Sequence, residues 1–141
     1  MKRTKVYSNG SIEINGQETG IIDWVKLHKE MVCQEANERI YIFSDGSIEN
    51  LGNSYLKEND KVVAVLRTWG RGNMDTTPYA ANWTTENEDG TYTTEDGREL
   101  TEDEMIDECI EDGDWTEQIE MWVEEITSQI EDAEKSEQYH D

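Results

Sequence analysis

Residues that carry reaction chemistry are scarce in this 141-residue chain, which holds only two histidines and two cysteines. Cys33 and Cys109 stand alone, at no disulfide-framework or metal-ligand spacing, and read as ordinary reduced thiols. No apolar run approaches the roughly 18 residues that span a bilayer. The basic start Met1-Lys2-Arg3-Thr4-Lys5 leads into no apolar segment, which excludes a secretory signal and leaves the expectation of a soluble, cytoplasmic protein with no membrane contact. Nucleophile-elbow, P-loop, His-Glu-x-x-His and paired-Cys motifs are absent. His28, in the N-terminal helix beside Leu27, reads as a boundary residue rather than a base, and His140 lies in the tail. Carboxylates abound, but no pair is singled out as the acid and nucleophile of a glycosidase. Gly90, Gly97 and Gly113 lack the Asp/Asn set of a calcium loop, with Thr85, Tyr92 and Glu108 at the first ligand positions. The sequence therefore implies no enzyme, no metal site and no cofactor.

Positive charge is the other shortage, and it is confined to one half. Residues 1–70 carry nine Lys/Arg against ten Asp/Glu, whereas residues 71–141 carry three (Arg71, Arg98, Lys135) against twenty-four. Nearly all of the net charge of −22 thus falls on the second half. Self-repulsion on this scale opposes compaction, so the charge speaks about partners rather than fold. Halophilic adaptation would acidify the surface throughout and deplete lysine, yet six of the seven lysines lie in the near-neutral half.

Aromatic residues are present in both halves. Trp24, Trp69, Trp83, Trp115 and Trp122 argue for a folded core, since acidic disordered chains lack large rings. The length fits one compact domain. Tyr7-Ser8-Asn9-Gly10-Ser11-Ile12-Glu13 resembles Phe43-Ser44-Asp45-Gly46-Ser47-Ile48-Glu49. Each reads as a hairpin with a tight two-residue turn at Asn-Gly or Asp-Gly. The similarity fits a common turn preference, with a duplicated unit as the alternative. Ile22, Val25, Met31, Val32 and Ala36 predict a helix from about Ile22 to Ala36, and Val62–Leu66 a buried strand. Residues 1–70 are therefore expected to form an α+β scaffold, an antiparallel sheet built from hairpins with one packed helix. Residues 71–100 read as a loop, Gly70–Pro78, and a polar hairpin.

Residues 101–141 are expected to hold two acidic amphipathic C-terminal helices. Thr101-Glu102-Asp103-Glu104 is a capping box ahead of the stripe Met105, Ile106, Cys109 and Ile110, and Gly113 closes that helix. Asp114 opens the next, whose seam runs Trp115, Ile119, Trp122, Ile126, Ile130 and Ala133. Off the seam lie Glu117, Glu120, Glu124, Glu125, Glu131, Asp132 and Glu134. At a rise of about 1.5 Å per residue they give one carboxylate per about 3.6 Å, against one phosphate per about 3.4 Å along a duplex strand. The preceding helix adds Glu102, Asp103, Glu104, Asp107, Glu108, Glu111 and Asp112. No Lys or Arg occurs between Trp115 and Glu134, so the segment forgoes the Glu–Lys pairs that steady ordinary solvated helices.

The functional expectation is a DNA- or RNA-mimicking inhibitor that occupies the basic nucleic-acid channel of a target, as an anti-restriction or anti-CRISPR phage protein would. Two packed helices would present Glu102, Asp103, Asp107, Glu108, Glu111, Glu117, Glu120, Glu124, Glu125, Glu131 and Asp132 as partner-binding rows. The partner would be a nuclease or a CRISPR or restriction complex, met as a monomer or as a homodimer paired through the seam. The alternative is an acidic interaction module that binds a basic protein without replacing nucleic acid. Direct nucleic-acid binding, through Lys2, Arg3, Lys5 or the Arg67-Thr68-Trp69-Gly70-Arg71 stretch, is opposed by the overall field.

Overall fold

The computed structural model describes residues 3–32, 35–56, 61–69 and 84–138. The Gly70–Pro78 loop, Lys2, Cys33, Arg71, Trp83 and His140 lie outside them. The class is α+β. Among the described residues the strands of the first half form two small antiparallel sheets instead of the one expected, and a third lies where the polar hairpin was expected. The first joins β1 (Thr4–Val6), β2 (Ser11–Ile14) and β3 (Gln17–Ile21) in that order. The second has β4 (Ala36–Phe43) between β5 (Ile48–Asn50) and β6 (Val62–Trp69). The third is a meander of β7 (Thr84–Glu86), β8 (Tyr92–Thr94) and β9 (Glu99–Leu100).

Turn chemistry explains the meanders. The two-residue turn is not at Asn9-Gly10 but at Asn15-Gly16, where φ is +53° and +84° as a mirror-image type I turn requires. At Gly10 the loop holds three residues: Gly10 N–H donates to the Tyr7 carbonyl (2.9 Å) and Tyr7 N–H to the Ser11 carbonyl (3.0 Å). The same bond pattern recurs at Phe43–Ser47, Asn87–Thr91 and Thr94–Arg98. The two similar heptapeptides thus share one turn geometry with two further loops. The end of β3 threads between the first two turns: Ile22 N–H donates to the Gly10 carbonyl (2.8 Å), and a Cβ at Gly20 would fall on the backbone of Asp45 and Gly46.

Among the described residues there are three helices. Helix α1 spans Trp24–Met31, shorter than the expected Ile22–Ala36. Asp23 caps it by accepting from Val25 N–H (3.1 Å) and Lys26 N–H (3.2 Å), and Ala36 instead opens β4. This start fixes the phase, so Leu27, His28 and Met31 face inward while Val25 stays exposed. Helices α2 (Glu102–Asp112) and α3 (Thr116–Gln138) follow.

The long helix α3 organises the core. Trp122, Ile126 and Ile130 are buried among Val6, Ile12, Ile22, Leu27, Ile40, Ile42 and Leu66, and the seam ends there because Ala133 is exposed. The helix also covers two sheet edges. The Gln129 amide pairs with Val65 of β6 as a strand would, accepting from its N–H (2.9 Å) and donating to its carbonyl (2.8 Å). Five residues on, Glu134 accepts from Thr4 N–H of β1 (3.1 Å). A smaller cluster of Val32, Leu100, Met105, Ile106 and Ile110 meets the main core at Trp69.

Candidate protein-interaction surface

Helix α2 begins with the reciprocal capping box: Glu104 N–H donates to Thr101 Oγ1 (3.2 Å) and Thr101 N–H to Glu104 Oε1 (3.3 Å). Part of its acidity is neutralised from outside the helix. Arg98 forks onto Glu108, Nη1 to Oε1 at 2.8 Å and Nη2 to Oε2 at 3.2 Å, and Lys29 reaches Glu111 at 2.8 Å. These bonds, with Asp96 second for Arg98, hold both cations above their ordinary pKa values. Glu108 and Glu111 are thus tied to cations, and Glu108 is half-buried. Glu102, Asp103 and Asp107 are exposed.

The expected pairing of the two helices does not occur. Helix α2 packs on α1 and β9, whereas α3 packs on β6 and β1, so the two acidic rows belong to different parts of the fold. Gly113 adopts no left-handed φ; its missing Cβ leaves room for the Trp115 indole, whose Nε1 donates to the Ile110 carbonyl at the end of α2 (2.7 Å). Asp114 accepts from the backbone and hydroxyl of Thr116 (3.1 and 2.6 Å), and the hydroxyl bond leads in holding its pKa below the usual value.

Helix α3 carries the more continuous anionic surface. Glu117, Glu120, Glu124 and Glu131 are exposed. At about 100° per residue they fall within an arc of about 60° opposite the core, over a length of about 21 Å. Exposed Glu125 and Asp132 border this stripe on one side. Glu125 also accepts from Gln129 Nε2 (3.0 Å), and Glu134 leaves the free face by pairing with β1.

Among the described residues, a groove lies on each side of the stripe. One, of about 390 Å³, is lined by Ser8, Val123 and Thr127 together with Glu120, Glu124 and Glu131. The other, of about 450 Å³, runs between α3 and β6 and is lined by Trp69, Trp122, Met31 and Met121 among others. Arg67 stands on its β6 rim and Glu125 on its α3 rim. Met121 is 61% exposed, with Glu117, Glu124 and Glu125 as its i−4, i+3 and i+4 neighbours.

Beneath this groove lies an aromatic cluster that the sequence reading missed. Trp122 stacks between Trp24 (5.9 Å between centroids) and Trp69 (5.8 Å). His28 meets Trp115, Trp122 and Trp69 edgewise at 4.2, 5.4 and 5.7 Å. It is a fully buried core residue, not one at a boundary; neither ring nitrogen has a hydrogen-bond partner among the described residues, and burial lowers its pKa to about 4. Trp69 is thereby engaged within the protein rather than held out for a base. Helical spacing within one segment carries no trace of such a cluster, whose members come from α1, β6 and the α2–α3 region. The high count of tryptophans was its only signal.

Among the described residues, no group of three or more His, Cys, Asp or Glu side chains is arranged to hold a metal ion, and no helix is long and apolar enough to cross a membrane. No protein-family model, curated protein or solved structure matches this chain.

Proposed function

We propose that this protein is a nucleic-acid-mimicking inhibitor whose α3 stripe enters the basic DNA- or RNA-binding channel of a target, in the manner of an anti-restriction or anti-CRISPR protein. The observation that carries the reading is the alignment of Glu117, Glu120, Glu124 and Glu131 on one exposed face, with no lysine or arginine between Trp115 and Glu134. A basic channel attracts such a face through a field that salt screens over about 8–10 Å. Glu125 and Asp132 widen the row, and Glu102, Asp103 and Asp107 extend the field from α2. The partner is a basic protein, and catalysis by this chain forms no part of the reading.

The test is displacement. A basic partner captured on the immobilised protein is challenged with duplex DNA and, separately, with a variant carrying Lys at positions 117, 120, 124 and 131. Release by DNA together with failure of the reversed variant to bind is the expected result. A partner that stays bound in excess DNA overturns mimicry and leaves the second reading, an interaction module for a basic protein. Exposed Met121 within the acidic face is the observation that favours that second reading.

A further inference from the structure

The groove between α3 and β6 differs from the rest of the acidic surface, because most of the residues lining it are apolar. Stacked Trp69 and Trp122 line it together with Met31, which is buried, and Met121, which is exposed. Met121 leaves 61% of its surface in water although charged neighbours occupy the surrounding helix positions. An apolar centre inside a charged rim is the anatomy of a protein–protein contact, where a side chain anchored in a desolvated pocket supplies binding energy and the rim supplies orientation.

We infer that this groove seats an aromatic or long aliphatic side chain from a basic segment of the protein partner, flanked in that segment by lysine or arginine. The inference rests on the basic-partner reading above and names what the partner must present. Charge complementarity selects the occupant: the carboxylates of Glu117, Glu124 and Glu125 lie on the Met121 side, so the flanking cations face α3. Arg67 sets the polarity from the opposite rim. Its guanidinium donates to the Asn37 carbonyl (3.0 Å) and leaves that side cationic, which repels a segment bound in reverse. A pure phosphate mimic needs no such lining, whereas a mimic that must choose one basic protein among many gains its selectivity here.

The experiment uses the full-length protein and two synthetic peptides of equal positive charge, an oligolysine and the same peptide with tryptophans inserted. Affinities are measured at low salt and at about 0.5 M salt, where charge–charge attraction is short-ranged. Methionine methyl resonances report where each peptide sits. The expected result is a preference of about tenfold for the tryptophan peptide at high salt, with shifts at Met31 and Met121, falling to about twofold or less in Met121→Gln. Met121 is mainly solvated, so this variant keeps its fold. Equal affinities, or shifts elsewhere, overturn the groove assignment while leaving the acidic stripe in place. Failure of both peptides to bind even at low salt removes the groove assignment and the basic-partner reading together.

Discussion

The imidazole of His28 lies 4.2 Å from the indole of Trp115, centroid to centroid and nearly perpendicular to it. This contact ties α1 to the junction between the two acidic helices. Its energy depends on the histidine remaining neutral, since neither ring nitrogen has a partner among the described residues to stabilise a charge.

Stability therefore acquires a histidine-dependent term with a defined sign. Burial lowers the His28 pKa from 6.5 to about 4. Between those values the unfolded chain binds a proton that the folded chain does not, so this contribution is complete above pH 6.5 and is lost as pH falls toward 4. The loss is about 2–3 kcal/mol between pH 7.5 and 4.5. Protonation of surface carboxylates acts the other way by relieving repulsion, so the comparison must be with His28→Phe. The variant should gain about 2–3 kcal/mol relative to the parent over that pH range in denaturant titrations. Parallel pH profiles would refute the assignment.

The Gln129 amide holds the outer edge of β6 through both polar groups of Val65. Gln129→Leu keeps the bulk and removes both bonds, which should cost about 1–3 kcal/mol and speed hydrogen exchange at the Val65 amide. Gln129→Glu should lose the donation to the Val65 carbonyl and bring an acceptor against it. An unchanged exchange rate in Gln129→Leu would show that the edge is protected by other means.

Gly113 is set by the Trp115 ring rather than by a left-handed helix end. A Cβ there would lie 2.7 Å from indole atoms Cε2 and Nε1. Gly113→Ala should displace the ring, break its bond to the Ile110 carbonyl and destabilise the fold by about 1–3 kcal/mol. Near-UV circular dichroism of the tryptophans should change with it. A glycine needed only for a flexible link would accept alanine without that spectral change.

The acidic stripe sets stability against binding. Glu117–Glu120 and Glu120–Glu124 are like-charged neighbours at i,i+3 and i,i+4. Glu120→Gln should raise Tm by about 1 °C per like-charge pair removed, with a smaller gain in high salt. Partner affinity should fall in the same variant. A stripe serving only solubility would show the gain in Tm without any loss of binding.

Legibility followed the range of the interactions involved. The capping box at Thr101–Glu104, the Trp122–Ile126–Ile130 seam and the β6 run are local patterns, and each stands where its residues imply. The length and phase of α1 were misread because Ile22 and Ala36 are apolar for other reasons: Ile22 reaches the core from the end of β3, and Ala36 begins β4. Of the acidic residues marked for a partner, Glu108 and Glu111 are compensated by Arg98 and Lys29, which lie ten and eighty-two positions away. No local spacing encodes those pairs.

By itself the sequence determined the anionic character of the second half, the amphipathic periodicity of its helices and the positions where the chain turns. These depend on residue type and on neighbours within about one helical turn. Only the tertiary structure decided that the strands of the first half split into two sheets and that α2 and α3 do not pack along one another. It also decided that His28 lies among tryptophans and that an apolar groove opens beside the Glu117–Glu131 stripe. Those outcomes depend on which faces meet across long sequence separations, where packing density and the pairing of buried polar groups select the partners.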